Sequence, residues 1–292
     1  MNLHEFCKDY LKLYKEPFIK PSTYERYQTA LKLIPRDLKL ETLTAFQLQN
    51  VISSLHRRGY SGTSIKHVKI LIDQSIRKAR QLGTYVGADF TYVEMPKKKR
   101  KKNIRAFSAE EQQNLLFYAK NSFYYNLISF LLFSGCRVGE AIALEWSDVD
   151  LKSGYFTVQH TDYHGQLQTP KTDESTRKLP ISPEIRRILI DQYRFTSGRV
   201  FLNTLGCPVA YRSFLDVWHR VLERGNISSC GVHILRHTYA TNALRAGVDV
   251  KVLSKLLGHA SVAITLDIYC DVIDSDKLTA AEKISCYLSR LL

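Results

Sequence analysis

Long apolar runs are missing from this sequence. No stretch approaches eighteen consecutive apolar residues, so no membrane span is expected. The first ten residues, M-N-L-H-E-F-C-K-D-Y, mix acids and bases and lack the apolar centre of a signal peptide, which argues against secretion. No C-x-x-C pair occurs among the six cysteines (Cys7, Cys136, Cys207, Cys230, Cys270 and Cys286). Without a secretion signal they read as reduced, mostly packed thiols of a cytoplasmic protein. Negative charge is also scarce, with 28 Asp and Glu against 42 Lys and Arg and a net charge of +14. At 292 residues the chain suffices for one large domain or two ordinary ones.

The excess positive charge is not spread evenly. Residues 1–95 hold 15 bases against nine acids, residues 96–105 hold seven bases and no acid, and residues 106–292 hold 20 against 19. This asymmetry divides the chain into a basic module, a basic strap and a nearly neutral larger part. The first two are expected to grip a polyanion while the third does something more local.

Residues 1–95 read as a small helical domain. Leu3, Phe6, Tyr10 and Leu13 recur at helical spacing, Ser22 with Glu25 makes a capping-box signature, and Thr44 precedes a stripe of Leu48, Val51, Ile52 and Leu55 that Gly59 ends. Ser61 to Gly83 gives a further helix with Ile65, Val68, Ile72, Ile76 and Ala79 inside. Its other face carries Lys66, Lys69, Arg77, Lys78 and Arg80, which read either as a solvated surface or, given the charge balance, as phosphate contacts. The run Lys97, Lys98, Lys99, Arg100, Lys101 and Lys102 cannot pack against itself. It is expected to act as a strap that meets an anion or, alternatively, as a nuclear localisation signal.

A second domain is expected over residues 106–292. Ser108 opens a capping box, an apolar helix spans 121–133, and Arg137 follows Ser134-Gly135 at a tight junction before a second buried helix. Alone, Arg137 reads as a structural arginine paired with Glu140 or Glu145. Period-two alternation then marks strands at 155–160, 167–170 and 175–181, with His164-Gly165 as a turn and Lys171 on the next hairpin tip. Helices resume at 183–193 and 211–224. His233 and Arg236 share a helix face, Asp249 caps a helix that Gly258 ends, and His259 stands just beyond it. Ser261 caps a last stretch that delivers Tyr269. His233 and His237 have the spacing of a zinc helix, but the glutamate of H-E-x-x-H is absent and no third ligand follows at a familiar interval, so no metal is expected.

The segments S-G-C-R-V-G-E-A-I-A-L-E-W, T-P-K-T-D-E-S-T-R-K-L-P-I, H-I-L-R-H-T-Y-A-T and L-L-G-H-A-S, followed by Tyr269 ten residues after His259, together resemble the tyrosine recombinase (phage integrase) family. One departure is Asp271, where many relatives carry a histidine. The resemblance implies a catalytic set of Arg137, Lys171, His233, Arg236, His259 and the nucleophile Tyr269. It also implies a mainly α fold: a helical core-binding domain, plus a mixed helical catalytic domain with a small antiparallel β-sheet, closing as a C-shaped clamp on double-stranded DNA. The expected activity is site-specific recombination through a 3′-phosphotyrosyl link, with no cofactor. The alternatives are a type IB topoisomerase and an inactive DNA-binding regulator. The resemblance further implies a tetramer tied together by a C-terminal helix with Leu278, Ala281, Ile284, Leu288 and Leu291 on its apolar stripe. A prokaryotic, nucleoid-associated protein without a separate arm-binding domain at its N-terminus is expected.

Overall fold

A computed structural model describes residues 1–85, 87, 92–97, 105–169, 176–193 and 198–266, together with positions 282, 284, 285, 288 and 289. The chain divides into two compact units, Met1–Arg100 and Lys101–Leu292. Among the described residues no helix is long and apolar enough to cross a membrane.

Among its described residues the first unit holds four helices, α1 (Leu3–Tyr14), α2 (Pro21–Leu31), α3 (Ala45–Arg57) and α4 (Gly62–Gln81). Their starts are set by local chemistry. The Asn2 side chain accepts from the His4 amide, Thr44 and Gln47 form a reciprocal capping box, and Ser61 accepts from the Ser64 amide. Helix α2 departs from the expected Ser22–Glu25 box. It begins two residues earlier, with Lys20 at the N-cap and Pro21 in its first turn, where a missing N–H costs nothing. On α1 the buried stripe runs through Leu3, Phe6, Cys7, Tyr10 and Leu11, while Leu13, at the stripe's edge in the last turn, is 64% exposed. The long helix α4 buries Ile65, Val68, Leu71, Ile72, Ile76 and Ala79 against the other three.

In the second unit Ser108 and Glu111 box the start of α5 (Ala109–Ala119). Helix α6 (Tyr125–Ser134) begins later than the apolar run suggests, because Ser122 turns the chain by accepting from the Tyr124 and Tyr125 amides. Gly135 ends it in the left-handed conformation and Arg137 caps the six-residue α7 (Val138–Ala143). A 3-10 turn (Trp146–Asp148) leads into strands β1 (Val149–Asp150), β2 (Tyr155–Val158), β3 (Thr161–Tyr163), β4 (Gln166–Gln168) and β5 (Arg177–Pro180). Then follow α8 (Pro183–Gln192), α9 (Tyr211–Arg224), α10 (Ile234–Arg245) and α11 (Val250–Leu257), with a further helical stretch at 262–266. Phe107, Phe130, Phe156, Phe214 and Trp218 fill the core between helices and sheet. Full burial of such a side chain contributes roughly 1.5–3 kcal/mol.

The strand pairing differs from the simple meander expected. The run 155–160 breaks after Val158, and β2 pairs with β1 and β5 in a three-stranded antiparallel sheet that sets Phe156 opposite Leu179. The segment 166–168 pairs instead with the short β3, across the His164-Gly165 turn, in a separate hairpin. Both turn residues have positive φ, 52° and 84°. The division follows from burial. Phe156 and Val158 lie in the core, whereas the hairpin holds only part-buried and exposed residues and cannot continue the same buried face.

Of the expected C-terminal stripe, Ile284 and Leu288 are described, both exposed at 61% and 51%. Leu278, Ala281 and Leu291 lie outside the described residues.

Gly135 is fixed twice over, by a φ of 66° and by the Tyr239 ring, which a Cβ would meet at 2.4 Å. Gly247 has φ 82° but nothing within 4 Å of the same position. Gly247→Ala should therefore cost only the backbone strain, about 1–2 kcal/mol. Gly135→Ala should cost clearly more, because the ring must move. Urea midpoints of the two variants check this, and equal losses would contradict it.

Candidate active site

The site is built where three helix ends meet. Arg236, in the first turn of α10, is 2% exposed. Its Nη1 donates to the Gly135 carbonyl at 3.0 Å and its Nη2 to the Leu257 carbonyl at 2.6 Å. These carbonyls sit at the C-terminal ends of α6 and α11, where the last C=O groups lack helical partners and the helix dipole is negative. A guanidinium is thus the natural plug for both ends. Two of its five N–H donors are used in this way. Burial, then the nearby Arg137, lower its pKa to about 10, which leaves it charged at neutral pH.

Arg137 stands at the start of α7, its side chain 40% exposed. Glu140 holds it at two points: one carboxylate oxygen accepts from the Arg137 amide at 2.9 Å and the other from Nη1 at 2.7 Å. The structural pairing considered for Arg137 is therefore real, yet its guanidinium still reaches solvent. Glu140 itself is buried and bound a second time. Arg177, on β5, donates Nη2 to it at 2.8 Å and Nη1 at 3.2 Å, and gives its Nε to the Leu256 carbonyl at 2.7 Å. Burial alone would push the Glu140 pKa up, but the Arg177 and Arg137 guanidinium groups hold it down to about 2.

His259 follows the left-handed Gly258 that ends α11. A Cβ at Gly258 would come within 3.0 Å of the Arg177 Nη1, so the turn requires glycine for its φ of 65° and for this close approach. The His259 Nδ1 lies 2.8 Å from the hydroxyl of the fully buried Thr265. His233 caps α10, and its ring meets that of His237 edge-on at 4.7 Å.

Two guanidinium groups thus share one carboxylate and a third is held by two helix-end carbonyls, leaving a positive site with imidazoles beside it. Burial, then Arg236 and Arg137, lower the pKa of His233. The same sequence of causes takes His259 to about 4. Burial and then His233 take His237 to about 4. All three are neutral at pH 7. Such a site suits an oxyanion, with fixed donors for its oxygens and neutral imidazoles of the kind that can exchange protons.

Of the residues singled out from sequence, Arg137, His233, Arg236 and His259 come together here. Lys171 and Tyr269 lie outside the described residues, as do Lys98, Lys99, Arg100, Lys101 and Lys102. On α4, Lys66 and Arg77 are exposed. Lys69 is bridged to Asp73 at 2.6 Å and Lys78 sits 4.4 Å over the Tyr14 ring, so both are partly engaged within the unit. Sequence reading missed Arg177 and Thr265, and saw Glu140 only as one alternative partner. For Arg177 a signal existed. It shares strand parity with the core residue Leu179, and an arginine on an inward face demands a buried acceptor. Thr265 offered none.

The sequence matches the phage integrase family over residues 102–275 and the phage integrase N-terminal SAM-like domain over residues 2–56. A tyrosine recombinase XerC-like protein of Caldanaerobacter subterraneus subsp. tengcongensis is 25% identical, across 91% of this chain and 78% of that protein. The transposase from transposon Tn916 of Enterococcus faecalis is 28% identical across 55% of this chain and 46% of its own length. In structure, the Tn1549 transposon integrase in complex with transposon right end DNA is similar at TM-score 0.78 and 17% identity, covering 96% of this chain and 100% of that one. A lambda integrase dimer bound to a COC′ core site is similar at TM-score 0.74 and 20% identity, covering 92% of this chain and 95% of that one. The fold is that of these integrases.

The lowered histidine pKa values carry a sign. The unfolded chain takes up these protons near pH 6.5, whereas the folded chain resists until about pH 4 for His237 and His259. Stability should therefore be complete above pH 6.5 and fall as the pH drops towards 4. Glu140 acts in the same direction at lower pH, its contribution being lost between its ordinary value of 4.5 and about 2. Urea midpoints from pH 7.5 to 4.5 should fall, and less steeply in His237→Gln. A flat profile would sink this account.

Proposed function

The chain belongs to the phage integrase family of tyrosine recombinases, and we propose that it is a site-specific recombinase that cleaves and rejoins DNA strands through a 3′-phosphotyrosyl intermediate. The observation that carries this reading is the pocket itself: two arginines and a histidine directed at one place, with a neutral imidazole beside them. In the proposed step Arg137 and Arg236 donate to the nonbridging oxygens of the scissile phosphate and stabilise the charge that gathers there. His259 adds a donor. With the Thr265 hydroxyl donating to Nδ1, its proton resides on Nε2.

Tyr269 is the nucleophile. Its hydroxyl, with an ordinary pKa near 10, needs a base at neutral pH, and neutral His233 takes its proton. The Tyr269 oxygen bonds to phosphorus as the bond to the 5′-oxygen breaks. Lys171 gives a proton to that leaving oxygen, yielding a free 5′-hydroxyl. Because the phosphodiester becomes another phosphodiester, rejoining to a second strand needs no outside energy source.

The polyanion is held elsewhere. With the catalytic part nearly neutral, the grip falls to residues 1–105, with Lys66 and Arg77 of α4 and the run from Lys97 to Lys102 as phosphate contacts. A homotetramer on two DNA sites completes the proposal, its protomers joined by the C-terminal segment. The exposure of Ile284 and Leu288 favours a partner for this stripe, and one similar solved structure is described as a lambda integrase tetramer bound to a Holliday junction.

A suicide duplex carrying the recombination site mapped for this protein, nicked near the cleavage point, tests the chemistry. Wild type should trap a covalent protein–DNA adduct and Tyr269→Phe should trap none. Adducts with both proteins would overturn the nucleophile, and none with wild type would overturn the reaction. Relaxation of supercoils on any sequence, without exchange between two sites, would instead identify a topoisomerase. For the grip, Lys66→Ala and Arg77→Ala should each reduce the slope of log affinity against log salt by about 1. Lys69→Ala should reduce it less. Unchanged slopes in the first two would remove α4 from the interface.

A further inference from the structure

Arg177 touches neither end of the reaction yet is bound to both walls of the pocket. Its side chain is buried, and all three of its nitrogens donate: Nη1 and Nη2 to Glu140, Nε to the carbonyl of Leu256. Through Glu140 it reaches Arg137, whose Nη1 shares the same carboxylate oxygen, Oε1, that Arg177 Nη1 contacts. Through Leu256 it holds the last turn of α11, and its Cδ and Nη1 pack against the position beside Gly258, one residue before His259. Arg137 and His259 come from parts of the chain more than a hundred residues apart. Among the described residues, Arg177 is hydrogen-bonded both to the partner of the first and to the helix end carrying the second.

We propose that Arg177 is a positioning residue for strand cleavage: its guanidinium ties Arg137, through Glu140, to the turn bearing His259, so that both donors meet one phosphate. This inference rests on the recombinase reading above. A lysine cannot replace it, because an ammonium is a compact point charge without the planar fork that spans a carboxylate and a carbonyl at once. Loss of the tie should leave DNA affinity nearly unchanged, since the bulk of the phosphate contacts lie in residues 1–105. It should slow the step in which negative charge builds on the nonbridging oxygens. A misplacement on the order of 1 Å in such a site costs roughly a hundredfold.

The test compares two nicked suicide duplexes that differ only at the scissile position, one with the natural phosphate and one with a methylphosphonate. The methyl group removes the anionic charge that the two donors serve. A misfolded fraction lowers both rates by the same factor, so the ratio of methylphosphonate to phosphate cleavage reports positioning alone. In Arg177→Lys and Arg177→Met the ratio should rise at least tenfold over wild type, with binding of the uncleaved duplex changed less than threefold. Equal losses on both substrates would make Arg177 merely structural, and an unchanged phosphate rate would make it dispensable. Either result overturns the proposal. Failure of wild type to form an adduct on the phosphate duplex would overturn the recombinase reading itself.

Discussion

One buried carboxylate governs this active site. Gathering the guanidinium groups of Arg137, Arg177 and Arg236 at one place is unfavourable, since all three repel one another and Arg177 and Arg236 must also leave water. Glu140 offsets part of that cost by binding two of them at 2.7–3.2 Å. The third is neutralised differently, by the partial negative charges of two helix C-termini. A carboxylate bonded directly to Arg236 as well would have weakened the positive field further. Helix ends supply enough negative potential to bury the cation while leaving the site positive.

The same field sets the state of the histidines. A protonated imidazole beside two arginines would add to the repulsion, so burial and charge act together to keep His233, His237 and His259 neutral. A neutral His233 can accept a proton, and the bond to Thr265 fixes the orientation of the neutral His259 ring. The positive field that would suit an oxyanion thus also keeps the imidazoles beside it neutral. Acidification would damage fold and chemistry through the same residues.

How much of this was legible in the sequence depends on range. Caps at Thr44, Ser61, Ser108 and Asp249, and the left-handed ends at Gly135 and Gly258, involve neighbours a few residues away and could be read directly. The family motifs located Arg137, His233, Arg236 and His259 without revealing what holds them. The Arg177 bonds to Glu140 and Leu256 span 37 and 79 residues, and no spacing rule announces partners so distant. Strand pairing was misjudged for a related reason. Alternation marks a segment as extended, but only the shared core decides that β2 pairs with β5 and leaves β3 and β4 to each other. The start of α2 was misjudged because Ser22 and Glu25 imitate a cap that Pro21 makes unnecessary.

Those distances have a consequence for the order of events during synthesis. The amide of Phe107 bonds to the Thr238 hydroxyl 131 residues later, Arg236 closes on a carbonyl 101 residues earlier, and its other contact waits for Leu257. Contacts of such sequence separation form late, after the loop entropy has been overcome. A chain still on the ribosome and lacking about its last forty residues can carry every helix described in its first unit, while Leu257 and His259 are not yet made. The pocket that gathers Arg137, Arg236 and His259 can therefore close only when translation is nearly finished.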